Sequence, residues 1–172
     1  MDNAKLINQD SGNVEYYTPS WIIEATRDVM GSIDLDPASS AKANEIVKAW
    51  LYYHKTADGL RRDWFANVWL NHPFSKSDNK FWIDKLIKEY SKGIVTQACC
   101  ITYASTSERW FQPLMDYPQC YFYKRVNYID GVTGKIKKGV TKGSVVTYLG
   151  PNVEKFYNVF SQYGKVMVAY EY

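Results

Sequence analysis

Apolar positions along this chain repeat at two spacings, and the two alternate. Ile22, Ala25, Thr26 and Val29 stand at helical intervals behind Thr18-Pro19, which predicts a helix capped by Thr18, with Pro19 in its first turn and Gly31 as its stop. Ile33-Asp34-Leu35 then reads as a short strand ending at Asp36-Pro37. Ser40 is placed to cap a second helix, with Ala43, Ile46, Val47 and Trp50 on its apolar face. Asn67 to Asn71 reads as a buried strand that ends in His72-Pro73-Phe74. A helix from Ser77 carries Ile83, Leu86, Ile87 and Tyr90 on one face and stops at Gly93. Ile94 to Tyr103 is the longest predicted strand, Ser107 to Met115 reads as a helix, and Gln119 to Tyr123 as a strand. Turn signals at Asp130-Gly131 and Thr133-Gly134 mark residues 124–143 as a hairpin or loop. Ser144 to Leu149 is a strand, Val153 to Phe160 a helix closed by Gly164, and Lys165 to Tyr170 a final strand.

Strands alternating with helices predict an α/β fold with a mostly parallel central sheet and helices on both faces. Ligands in such folds sit at the carboxyl ends of strands, so Asp36-Pro37 and Asn71-His72 are the first places to look for chemistry.

Composition narrows the class. A length of 172 residues predicts one domain, over 15–172, behind a polar, flexible arm at 1–14. No apolar run approaches the roughly 18 residues of a membrane span, and the first residues lack the pattern of a signal peptide. A cytoplasmic protein without a membrane partner is expected. Three cysteines fit that setting, and their spacing suggests neither zinc nor a disulfide framework, so no metal is expected. Cys99 and Cys100 are adjacent on a strand and should face opposite sides. A net charge of +3 does not by itself announce a nucleic-acid binder. The aromatic share of 16% is high, with core the first use for it and base stacking the second.

Asn71-His72-Pro73-Phe74 has a definite chemical potential. An exocyclic amine is a poor nucleophile because its lone pair is delocalised into the ring. Accepting hydrogen bonds from both N–H groups favours a more tetrahedral nitrogen. The Asn71 side-chain carbonyl offers one acceptor and the backbone C=O of His72 a second. Pro73 fixes its own φ and restricts the residue before it. Phe74 can stack on an extruded base. Alone, the four residues also read as a plain turn closing a strand. Asp58-Gly59 likewise reads as a simple turn, and Asp36-Pro37 as one that starts a helix.

The order in which these motifs occur carries a resemblance. Tyr16-Tyr17-Thr18-Pro19, Asp34-Leu35-Asp36-Pro37-Ala38-Ser39-Ser40, Asp58-Gly59-Leu60 with Trp64, and Val68-Trp69-Leu70-Asn71-His72-Pro73-Phe74-Ser75 together look like the phage-type DNA N6-adenine methyltransferase family. The likeness runs over roughly residues 14–168. It implies a Rossmann-like, S-adenosylmethionine-dependent methyltransferase fold. Tyr17, Thr18 and Pro19 would line the methionine end of the cofactor, and Asp36, Pro37, Ala38 and Ser39 would form the turn beneath it. Asn44 would reach towards the ribose. Asp58 would accept from the cofactor's adenine amine, with Leu60 on its ring. Asn71, His72, Pro73 and Phe74 would form the catalytic centre, acting on adenine N6 of a flipped-out base in DNA.

Two departures stand out. His72 replaces the first proline of the Asn-Pro-Pro-Phe pattern, which restores an N–H, relaxes φ and adds an imidazole that ordinarily titrates near neutrality. Ser105 and Ser107 stand where the resemblance expects Arg and Asp. They keep open an alternative: a relative on the same fold that binds DNA or a host defence factor without turnover. The resemblance also implies a phage or prophage origin, action in host cytoplasm and a link to restriction–modification. A homodimer is a further expectation, since few residues remain for a recognition domain. For DNA contact the candidates are Lys124, Arg125, Lys135, Lys137, Lys138 and Lys142, which read equally as a glycine-flanked phosphate-binding loop or as a solvated one.

Overall fold

The computed structural model describes residues 16–74 and 77–170. The arm expected at 1–14 lies outside them. The elements run β1 (Tyr16–Tyr17), α1 (Ser20–Met30), β2 (Leu35–Asp36), α2 (Ala41–Val47), β3 (Leu51–Tyr52), β4 (Ala66–Leu70), α3 (Asn79–Ser91), β5 (Val95–Tyr103), β6 (Gln119–Phe122), β7 (Ile129–Asp130), β8 (Ser144–Leu149), α4 (Val153–Phe160) and β9 (Gly164–Met167).

Seven strands form one sheet in the order β3-β2-β4-β5-β8-β6-β9. The pairs β3–β2, β2–β4 and β4–β5 are parallel, and the remaining three are antiparallel. Five strands therefore point one way, with β8 and β9 reversed. Period-two alternation sorts the sheet residues between two cores. Trp69, Cys99, Ile101, Val146 and Tyr148 face α1, α2 and α4. Val68, Leu70, Ala98, Cys100, Val145 and Leu149 face α3. This is the expected α/β layering, with helices on both faces, and the adjacent Cys99 and Cys100 part as expected. Burial raises the Cys99 thiol to about 12, so it stays protonated. Trp69 and Tyr148 are fully buried. Truncating an aromatic of this kind to Ala costs about 3–5 kcal/mol.

Local departures from the sequence reading have physical causes. Pro19, not Thr18, is the N-cap of α1, because its carbonyl accepts from the Ile22 N–H at 3.1 Å. Gly31 does end α1, at φ 86°. Ser40 caps α2, accepting from the Ala43 N–H at 3.1 Å. The helix stops at Val47, however, so Trp50 lies beyond it and is exposed. Asp78 rather than Ser77 is the N-cap of α3. The stretch expected to be helical from Ser107 is turns followed by one 3₁₀ segment, Gln112–Asp116, with Pro113 in its first turn. Gly164 opens β9 instead of closing α4. No helix of the described residues is long and apolar enough to cross a membrane.

Candidate active site

The connection from β2 goes to one side of the sheet, to β3, and the chain then crosses to the other side for β4. The gap above β2 and β4 is thus a topological switch point, where open α/β sheets take their ligands. Asp36 ends β2 and Leu70 ends β4, so the turns after both strands open onto the same space. A cavity of about 390 Å³ lies there. Tyr17, Thr18, Asp36, Pro37, Ala38, Ser39, Asp58, Leu60, Asn71, His72, Pro73 and Phe74 all line it. Of the residues singled out for catalysis or cofactor, Pro19, which caps α1, is absent from the wall. Asn44 is also absent. Its amide bonds both backbone groups of Ala49 and closes the turn after α2.

The orientation of Asn71 is set by β1 at the cavity wall. Its amide nitrogen donates to the Tyr16 carbonyl at 2.8 Å, which turns the side-chain oxygen to the opposite side as an acceptor. Phe74 packs on Tyr103, with ring centroids 4.6 Å apart. His72 is only 1% exposed. Desolvation pushes its pKa down to about 4, against smaller raising effects from Asn79 and Asp78. The imidazole is therefore neutral at working pH. The sequence expectation of an imidazole titrating near neutrality is corrected by burial.

The opposite wall is a close assembly of two turns. Asp36 is 2% exposed, and burial raises its carboxyl to about 7. The Ala38 N–H donates to it at 3.3 Å and pulls the other way. So does the nearby Ser39 hydroxyl, although Ser39 Oγ is not aligned for a formal hydrogen bond. Gly59 presses against the Pro37 carbonyl, and the Trp64 indole N–H donates to the Gly59 carbonyl at 2.8 Å. Asp58 takes a left-handed conformation at φ 52°, and its carboxylate pairs with Arg61 Nε at 3.1 Å. Tyr17 and the Thr18 hydroxyl complete the rim. Tyr17 OH accepts from Ser40 Oγ at 3.2 Å, while Thr18 Oγ1 is buried without a partner.

The sequence matches the model of the DNA N-6-adenine-methyltransferase (Dam) family over residues 8–166. The chain belongs to that family. A search of curated proteins gives no match. Membership implies DNA adenine methylation as the family activity and agrees with the α/β sheet described above.

In this Dam-family chain the basic segment is tied to the site. Residues 129–136 form a short hairpin, in which the Asp130 side chain accepts from the N–H groups of Val132 and Thr133 at 3.0 and 2.7 Å. Its strand β7 pairs antiparallel with β1, next to Thr18 and the cavity. Lys137 donates to Tyr16 OH and lies 4.3 Å from the centre of that ring. Lys142 stands 5.2 Å over Tyr103, the ring behind Phe74. Lys124, Arg125, Lys135 and Lys138 are exposed.

Several wall residues went unnoticed in the sequence. Tyr53, His54 and Lys55 line the cavity because they follow β3, whose two residues are too short to show alternation. Lys85 on α3 donates to the carbonyls of Leu60 and Arg62 at 3.1 and 2.7 Å and so braces the 59–61 turn. A lysine on a helix gives no sequence signal for such a role.

Proposed function

We propose that this chain transfers a methyl group from S-adenosylmethionine to N6 of an adenine extruded from DNA. The observation that carries the reading is geometric. The Asn71–Phe74 turn, the Asp36–Ser39 turn and the Asp58-Gly59 turn, distant in sequence, share one cavity at the switch point of a Dam-family sheet.

The residues present fit the cofactor. The volume is in the range of small-molecule sites, and the walls expose more apolar than polar surface. Asp36 is suited to an ammonium group, and the buried Thr18 hydroxyl has a hydrogen bond still to make. Asp58 would take the amine of the cofactor's adenine, with Leu60 against its ring and Tyr17, Pro37, Ala38 and Ser39 around its methionine end. When bound, S-adenosylmethionine supplies a methyl group on a strongly activated sulfonium.

The chain's own part is positioning. Asn71 Oδ1 and the His72 carbonyl accept the two N6–H groups and direct the nitrogen lone pair at the methyl carbon. Phe74, backed by Tyr103, stacks on the extruded base. The amine would give up one proton to solvent as the N–C bond forms and the methyl–sulfur bond breaks, with S-adenosylhomocysteine as the leaving group. Lys124, Arg125, Lys135, Lys137, Lys138 and Lys142 hold the phosphate backbone beside the opening. No observation favours the alternative of binding without turnover. The test is two-part: S-adenosylhomocysteine should bind to the isolated protein, and labelled S-adenosylmethionine should yield N6-methyladenine in unmodified DNA.

A further inference from the structure

His72 departs from the proline of its family pattern, and its surroundings show a role for the ring that occupies the position. Asn79 Oδ1 lies 2.9 Å from His72 Nε2. An amide oxygen only accepts, so Nε2 carries the proton and donates. Asn79 is the first residue of α3 and is itself buried. The imidazole also stacks on Trp82, at 6.3 Å and 29°, and meets Phe74 edge-on at 5.7 Å. The stack continues from Trp82 to Trp64, at 6.1 Å and 28°. Trp64 in turn donates to the Gly59 carbonyl under Pro37. A continuous column of rings therefore joins the Asn71–Phe74 turn to the opposite wall of the cavity.

A proline at this position would stiffen the turn through its own φ. A histidine loses that restraint. We infer that the His72 side chain is a positioning residue, which fixes the turn to the start of α3 through Asn79 and Trp82 and so aims the residue-72 carbonyl. The inference rests on the function proposed above for that carbonyl. It makes the histidine an equivalent solution in this chain rather than a lesion. Introducing proline removes the ring, leaves Asn79 Oδ1 buried without a donor, and strips one face of Trp82.

The test uses the full chain with His72→Pro, His72→Ala, Asn79→Ala and Asn79→Asp, the last of which keeps an acceptor for Nε2. Two readouts are taken. Hydrogen exchange over residues 71–74 needs no turnover. It should rise about tenfold in Asn79→Ala and His72→Ala, with little further rise in the double variant and recovery in Asn79→Asp. Methyl transfer should show kcat falling about 10- to 100-fold in Asn79→Ala and His72→Pro, as a misplacement near 1 Å produces. S-adenosylhomocysteine affinity of Asn79→Ala, a residue outside the cavity wall, should stay within about threefold, which a merely unfolded protein would not show. Unchanged exchange in Asn79→Ala, or a His72→Pro variant faster than the parent, overturns the inference. A parent that forms no N6-methyladenine defeats the proposed function instead, and the exchange result still decides whether His72 holds the turn.

Discussion

A Cβ built on Gly59 would stand 1.9 Å from the Pro37 carbonyl oxygen. That contact joins two motifs separated by more than twenty residues, and it leaves no room for any side chain at position 59. Gly59→Ala must push the 58–60 turn away from the Asp36–Ser39 turn. The expected result is a loss of about 1–3 kcal/mol of stability, as for other overpacked sites, and at least about tenfold weaker S-adenosylhomocysteine binding. Thermal melting and calorimetric titration of the variant check both. Unaltered affinity would mean that the two turns do not act together on the ligand.

Asp36 sets stability against binding. Its carboxyl is raised from 3.8 to about 7 in the fold because burial disfavours the charged form. The folded state therefore holds this proton where the unfolded chain releases it. The resulting stability is complete below about pH 4 and is lost as pH rises through about 7. Asp36→Asn should raise the melting temperature of the free protein at pH 8 and abolish cofactor binding. A bound ammonium needs the carboxylate. Affinity in the parent should thus climb up to about tenfold per pH unit towards neutrality and level off above about 7. A flat profile from about pH 5 to about pH 7 would remove Asp36 from the ammonium site.

The lysines of the 124–143 segment divide into two kinds. Lys137 and Lys142 lie over the rings of Tyr16 and Tyr103, although Lys142 is itself exposed, as Lys135 and Lys138 are. Replacing Lys135 and Lys138 with Ala should weaken DNA binding across all sequences. It should also flatten the logarithmic salt dependence by about 1 to 2, since each phosphate neutralised contributes about 0.9. Cofactor affinity should not change. Fluorescence anisotropy at several salt concentrations measures the slope, and an unchanged slope would take this loop out of the DNA interface.

Much of the site could be read from residue order because its motifs are short, local and attached to strand ends. Asp36-Pro37 and Asn71–Phe74 each follow a strand, Asp58-Gly59 reads as a turn between them, and the fold brings the three together. What escaped was non-local. The fate of His72 depends on Asn79 and Trp82, which approach only when α3 folds back over β5. The role of Tyr16 depends on pairing with Ile129-Asp130, more than a hundred residues away. Trp50 seemed to continue the apolar stripe of α2, but Lys48 in a left-handed conformation turns the chain out of the helix first. Periodicity reports which residues share a face, not where an element ends or what a buried polar group meets.

The central claim stands or falls on product identity. The measurement is nucleoside mass spectrometry of unmodified DNA after incubation with isotope-labelled S-adenosylmethionine, run in parallel with Asn71→Ala. That variant loses the amide held by the Tyr16 carbonyl and with it one acceptor for N6–H. The account predicts labelled N6-methyladenine from the parent and a drop of at least about a hundredfold for Asn71→Ala, in line with loss of an oriented transition-state contact. Cofactor binding without labelled N6-methyladenine, or label on cytosine N4 instead, would contradict it.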